Sequence, residues 1–294
     1  MAFQYTITSN GLQLLRESLR LPTEPSELGS VRDAIFVSID FENASSIKES
    51  ARNFQGQLGV AILDTGDLVP SSSGSIITTY NFVTGPSSYC TSATRKFLFG
   101  KTIMISQQDM ITRLESIIAR TKDIILVGHD FRHDLQVLRH LNFDIQTSVL
   151  GILDTMRIAS EVIPTCSGTL RDILRELQCP FDKLHSAGND AHFTLRALLL
   201  LAVKSYADKT LRHEDQQRLE SIRAVAQFHL PQQPESHDRG RKKKMKRFQR
   251  SRKHQAKLWD IDTQERIRAE RAARRVREPS SLAEMPSIYL SSKN

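Results

Sequence analysis

Ala34-Ile-Phe-Val-Ser-Ile39 is the segment that most restricts how this chain can fold. It is short, almost wholly apolar and rich in β-branched residues, so a central strand is expected rather than a helix. The run ends on Asp40-Phe-Glu42. Alternate side chains of a strand share a face. Both carboxylates therefore aim at one point near the strand's C-terminal end, while Phe41 turns to the other face and belongs in the core. Two anions about 4 Å apart repel by roughly 1–4 kcal/mol, depending on the local dielectric. A divalent cation with oxygen ligands offsets that repulsion. A strand that stops at Ile39 and gives way to a solvated loop avoids it.

Two further acidic stations follow. Asp123-Ile-Ile-Leu-Val127 reads as a second buried strand and leads into Gly128-His-Asp130-Phe-Arg-His-Asp134. Here Asp130 is a candidate N-cap and Asp134 falls in a first helical turn, where the helix dipole favours an anion. His129 and His133 read as structural. The third station is Leu184-His185-Ser-Ala-Gly-Asn-Asp190, at the entrance of an apolar helix over Ala187–Ser205. A helix-proximal carboxylate can hold a cation while a histidine in the preceding loop accepts a proton from water, a task its pKa near 6.5 suits. Asp40, Glu42, Asp134, Asp190 and His185, each beside a buried-looking element, point to a two-metal phosphodiester site.

The remaining pattern supplies a scaffold. Gln57–Leu63 and Ser75–Val83 read as strands, the second antiparallel to the first, and Val149–Asp154 as a fifth. Residues 84–104, rich in Ser, Thr and Gly, read as an extended surface excursion. Helices are expected over Ser9–Ser18, after the capping-box-like Ser106-Gln-Gln-Asp109, around Phe131, Leu135 and Leu138, and over Thr155–Val162 and Thr169–Leu177. A meander followed by strand–helix alternation predicts an α/β layer structure with a mixed five-stranded sheet flanked by helices. Residues 1–30 form an N-terminal helix and linker, and 31–208 the folded domain.

Charge divides the chain in two. Residues 1–208 carry 19 Lys and Arg against 22 Asp and Glu, whereas residues 209–294 carry 22 against 11. A mildly acidic body with a strongly basic extension separates chemistry from polyanion attraction. The extension reads as a helix over 211–228, a disordered basic stretch over 231–254 and a helix over 255–277. Ten of the fifteen residues from Arg239 to Lys253 are basic. Arg241, Lys242, Lys243, Lys244, Lys246 and Arg247 are candidate nucleic-acid contacts, and the same run has the composition of a nuclear localisation signal. A protein partner for the extension, and a solvated tail with no dedicated partner, are the further readings. No apolar run approaches the roughly 20 residues that span a bilayer, so no membrane association is expected. The start of the chain lacks a basic region followed by a long apolar stretch, so no secretory signal is expected. Cys90, Cys166 and Cys179 form no CxxC pair, which points to a reducing intracellular compartment, nucleus or cytoplasm.

Taken together these motifs resemble the DEDDh branch of the 3′–5′ exonucleases, on the ribonuclease-H-like fold. That branch is marked by D-x-E on the first strand, N-x3-D opening a helix and H-x4-D near the last helix. Asp40-Phe-Glu42 matches the first motif, Asp134 the acid of the second, and His185 and Asp190 the third; Leu153-Asp-Thr155 is similar to the pair that commonly ends the fifth strand. The likeness covers about residues 34–203. Asn43-Ala-Ser stands where Thr-Gly is usual, and Asp130 stands at the usual Asn. Lys96-Phe-Leu-Phe-Gly100 and the general layout are more similar to a fungal exonuclease-like group linked to mRNA export. The resemblance implies that Asp40, Glu42, Asp134 and Asp190 hold two Mg²⁺ or Mn²⁺ ions about 4 Å apart, with His185 as general base. It implies a 3′–5′ exonuclease acting on RNA or single-stranded DNA. The alternative is a module that keeps the fold and binds nucleic acid or protein in RNA metabolism without useful turnover.

Overall fold

A computed structural model describes residues 6–23, 34–49, 55–68 and 76–232. Its central sheet has six strands in the order β4-β3-β2-β1-β5-β6. They are β1 (Ile35–Glu42), β2 (Gly56–Asp64), β3 (Thr78–Thr84), β4 (Thr102–Met104), β5 (Ile124–Gly128) and β6 (Val149–Asp154). β1, β2 and β3 form the antiparallel meander, and β5 and β6 add parallel strands on the other side of β1. The α/β class and the mixed sheet agree with a ribonuclease-H-like fold.

The expected strand count was one short. The span 84–104 is no bare excursion: it holds helix α3 (Ser87–Lys96) and then β4, which pairs parallel to β3 with Asn81 opposite Thr102. The physical reason is composition. α3 buries only Cys90 and Ala93, two small side chains, so it lacks the strong apolar stripe that announces a helix. β4 is three residues long and sits on an edge, where Ile103 and Met104 are exposed and no alternation can develop.

The sheet is covered on both faces. Even-numbered β1 residues such as Phe36 face a core built with α1 (Gly11–Ser18), α6 (Thr155–Val162), α7 (Leu170–Glu176), α8 (Ala187–Lys204) and α9 (His213–Ala226). Odd-numbered residues Ile35, Val37, Ile39 and Phe41 face the other core, with α4 (Met110–Ile117) and α5 (Arg132–His140). A short helix α2 (Ala44–Glu49) follows β1 directly. α8 is buried along nearly its whole length, as its Leu-rich sequence requires.

α9, the helix that opens the basic extension in sequence, packs onto this body through Leu219, Ile222, Val225 and Ala226. The fully buried Arg196 of α8 holds its end by donating to the carbonyls of Ala226, Phe228 and Pro180. The compact body runs to Gln232. The basic stretch 231–254 from residue 233 onward, the helix expected over 255–277, and Arg241, Lys242, Lys243, Lys244, Lys246 and Arg247 lie outside the described residues. Among the described residues no helix is long and apolar enough to cross a membrane.

Candidate metal centre

Asp40 and Glu42 leave β1 on the same face as Phe36, toward α8. Opposite Asp40 in β2 stands Gly59. A Cβ built there would lie 1.9 Å from the carbonyl oxygen of Ala187, the first residue of α8. The missing side chain is what lets the start of α8 rest on the strand. Asp190, in the first turn of α8, is thereby brought beside the two β1 carboxylates.

Asp134 arrives from the other layer. The parallel ladder between β1 and β5 ends at Ser38 and Val127, so the last residues of β1 have an open backbone edge. The Phe41 N–H uses it to donate to Asp134 Oδ1 at 2.9 Å. α5 is aimed by a turn in which Asp130 adopts a left-handed backbone (φ 48°). Asp130 and Phe131 donate their N–H groups to the buried Asp154 carboxylate, which also caps α6 through Met156 N. Asp130 is therefore not the helix cap; Phe131 occupies that position. His129 bonds Thr155 Oγ1 at 2.9 Å, and burial lowers its pKa.

At the third station the backbone is bent around the carboxylate. His185 is left-handed (φ 69°), and Asp190 Oδ2 accepts from the N–H groups of His185 (2.9 Å) and Ser186 (3.2 Å). Ligand atoms of Glu42, His185 and Asp190 lie within 4.8 Å of one another, with His185 on the exposed rim. Two buried asparagines that sequence reading did not single out lock this corner. Asn81 of β3 accepts from Gly188 N, and Asn189 bonds Leu98 N and the carbonyls of Lys96 and Lys183. Gly59 had a legible signal, since glycine inside an apolar strand often marks close backbone approach. The asparagines had none.

Electrostatically this is an unfavourable gathering. Burial, and then the charges of Asp134, Asp190 and Glu42, raise the Asp40 pKa well above the ordinary carboxylate range. Burial pushes Asp134 up to about 7, against the Phe41 N–H that holds it down, and burial followed by the Glu42 charge pushes Asp190 up to about 7. Asp190 Oδ1 is buried without a hydrogen-bond partner. A hard divalent cation satisfies all these features: it takes oxygen donors, fills the coordination of an orphaned carboxylate oxygen and neutralises clustered charge.

Residues 35–201 match the DEDDh family described as DNA polymerase III subunit epsilon-like, C-terminal domain. That span is more than half of the chain. The chain belongs to the DEDDh exonuclease superfamily. Comparison with curated proteins returned no match. Family membership supports a nuclease-type function, and DEDDh proteins typically use divalent metal ions. The residues present fit such ions: Glu42, Asp190 and His185 bring ligand atoms within 4.8 Å of one another, and Asp40 and Asp134 would add further carboxylate oxygens.

Proposed function

We propose that the protein is a metal-dependent 3′–5′ exonuclease that hydrolyses phosphodiester bonds of RNA or single-stranded DNA. The observation that supports this reading is the gathering of Glu42, Asp190 and the exposed His185 within 4.8 Å of one another, with one Asp190 oxygen buried and unpartnered and with Asp40 and Asp134 near enough for the acidic charges to act on one another. When bound, Mg²⁺ or Mn²⁺ supplies charge neutralisation of the phosphate and a lowered pKa for water. Asp40, Glu42, Asp134 and Asp190 would hold the ions, with Asp134 and Asp190 buried and Asp40 and Glu42 half-buried at the end of β1. His185, oriented by its own N–H bond to Asp190 and by Lys96 Nζ on its carbonyl (3.2 Å), accepts the proton of the attacking water. The hydroxide so formed adds to phosphorus, the P–O3′ bond breaks, the leaving 3′ oxygen takes up a proton from solvent, and a nucleoside 5′-monophosphate leaves from a chain shortened by one residue. The basic extension, through Arg241, Lys242, Lys243, Lys244, Lys246 and Arg247, adds salt-sensitive contacts to phosphates, in the nucleus or cytoplasm.

Digestion of 3′-labelled RNA and DNA in Mg²⁺ or Mn²⁺ tests this reading. Wild type is expected to release mononucleotides; Asp40→Ala and His185→Ala are expected to lose at least about a hundredfold in rate. Mononucleotide release that both variants retain in full rules the assignment out. No release by wild type on either polymer favours a binding module instead.

A further inference from the structure

The end of α8 remote from the carboxylates borders a second recess. Ser205 caps the helix fifteen residues after Asp190, about 22 Å along the axis. Tyr206 follows, its side chain buried and its hydroxyl donating to the Pro22 carbonyl. Two cations are held at this fixed ring. The Arg16 guanidinium of α1 lies 5.0 Å from the ring centroid. Its Nε donates to Ser205 Oγ at 3.2 Å and its Nη2 to the Ser205 carbonyl at 3.3 Å. The Lys209 ammonium lies 5.0 Å from the same centroid. Two like charges gathered at one ring repel, and an anion between them offsets that repulsion.

Both cations line a cavity of about 410 Å³, a volume typical of small-molecule sites. Thr23 and Thr210 add hydroxyls to its wall, and Pro22 and Leu211 add apolar surface. No acidic side chain is among the described residues that line it. The nearby acids are engaged elsewhere: Glu17 accepts from Gln13 Nε2 at 3.1 Å, and Asp215 accepts from Arg212 Nε at 3.0 Å. Lys209 has no acidic partner among the described residues. Two of the five N–H donors of Arg16 serve the helix end, so the rest remain for a ligand.

We propose that this cavity binds a small phosphate monoester, with the phosphate set between Arg16 and Lys209. A forked guanidinium and a compact ammonium are the two side chains suited to that group. A monoester carries close to two negative charges at neutral pH and so matches both cations, whereas a carboxylate or an internal phosphodiester carries one. The Thr23 and Thr210 hydroxyls serve the remaining oxygens, and Pro22 and Leu211 take the body of the ligand. None of this depends on the carboxylate cluster, so the site stands or falls apart from the nuclease reading.

Isothermal titration calorimetry of the full chain in EDTA tests this, with adenosine 5′-monophosphate, ribose 5-phosphate, inorganic phosphate and adenosine as probes. Wild type is expected to bind both monoesters saturably, inorganic phosphate more weakly and adenosine not at all. Lys209→Gln should weaken monoester binding about tenfold or more, the scale of one hydrogen bond to a charged group. Lys209→Arg keeps the cation and should stay within about threefold of wild type. Lys204→Gln removes an equal charge from the exposed end of α8 outside the cavity, and should change affinity by less than about twofold. The basic extension is present in every variant and contributes the same background to each. Equal losses from Lys204→Gln and Lys209→Gln would show diffuse charge in place of a site. Inorganic phosphate binding as tightly as the monoesters, saturable binding of adenosine, or no binding of either monoester overturns the proposal. A lowered melting temperature for Lys209→Gln with unchanged affinity would show that the two cations only brace the helix end.

Discussion

At the scale of single residues the centre trades stability for charge density. Burial raises the pKa of Asp190 to about 7, above the value near 3.9 expected in the unfolded chain. Between those two values the folded protein holds a proton that the unfolded chain has released. Metal-free stability therefore falls as pH rises from about 4 to about 7 and levels beyond. Asp190→Asn removes the share of this dependence that Asp190 contributes and leaves those of Asp40 and Asp134. We expect the variant to match wild type near pH 4 and to melt several degrees higher at pH 8 in the absence of metal. Differential scanning calorimetry across that range checks the sign; a variant less stable at pH 8 contradicts it. Saturating Mn²⁺ should reverse the order, since ligand at a hundred times its Kd stabilises wild type by about 2.7 kcal/mol and the variant far less.

Elements hold the site through contacts that leave little slack. Gly59 lets α8 touch β2, and a methyl group there collides with backbone, which cannot swing aside as a flexible side chain can. Gly59→Ala should push the start of α8 away, and Asp190 with it. Misplacement of about 1 Å costs on the order of a hundredfold in rate. The expected signature is a large fall in kcat and in Mn²⁺ affinity with a largely unchanged far-ultraviolet circular dichroism spectrum. Full activity would show that the close approach is not what sets the carboxylate. Arg196 gives a contrasting case at the far side of the same helix. Arg196→Met leaves the carbonyls of Ala226, Phe228 and Pro180 without their donor. A loss of about 1–3 kcal/mol is expected on that account, read by urea unfolding, and an unchanged midpoint would refute the clamp.

For the whole molecule, charge separation predicts two independent functions. Truncation after Gln232 removes the stretch in which Arg239–Lys253 carries ten basic residues and leaves the sheet and its carboxylates. Binding of long single strands should weaken and lose salt sensitivity, by about 0.7 in slope for each phosphate contact removed. Turnover of dinucleotides should persist. Loss of dinucleotide cleavage in the truncated protein would show that the two parts act as one.

The strands and most helices were legible because each buries a stripe or a run whose period is written in the chain. β1, β5 and α8 are examples, and so are the acids at their ends. The short elements α2, α3 and β4 were not, because small or exposed side chains carry no period. Asp130 read as a helix cap from residue type alone; its left-handed backbone and its bond to Asp154, 24 residues away, depend on a neighbour that local spacing does not name. What the amino-acid order determined by itself is which side chains carry chemistry and which strand and helix ends present them. Only the tertiary structure decided how near they come, because the open edge of β1, the bare Cα of Gly59 and the buried asparagines act between segments far apart in the chain. Burial then turns separate acids into one strained, cation-seeking cluster.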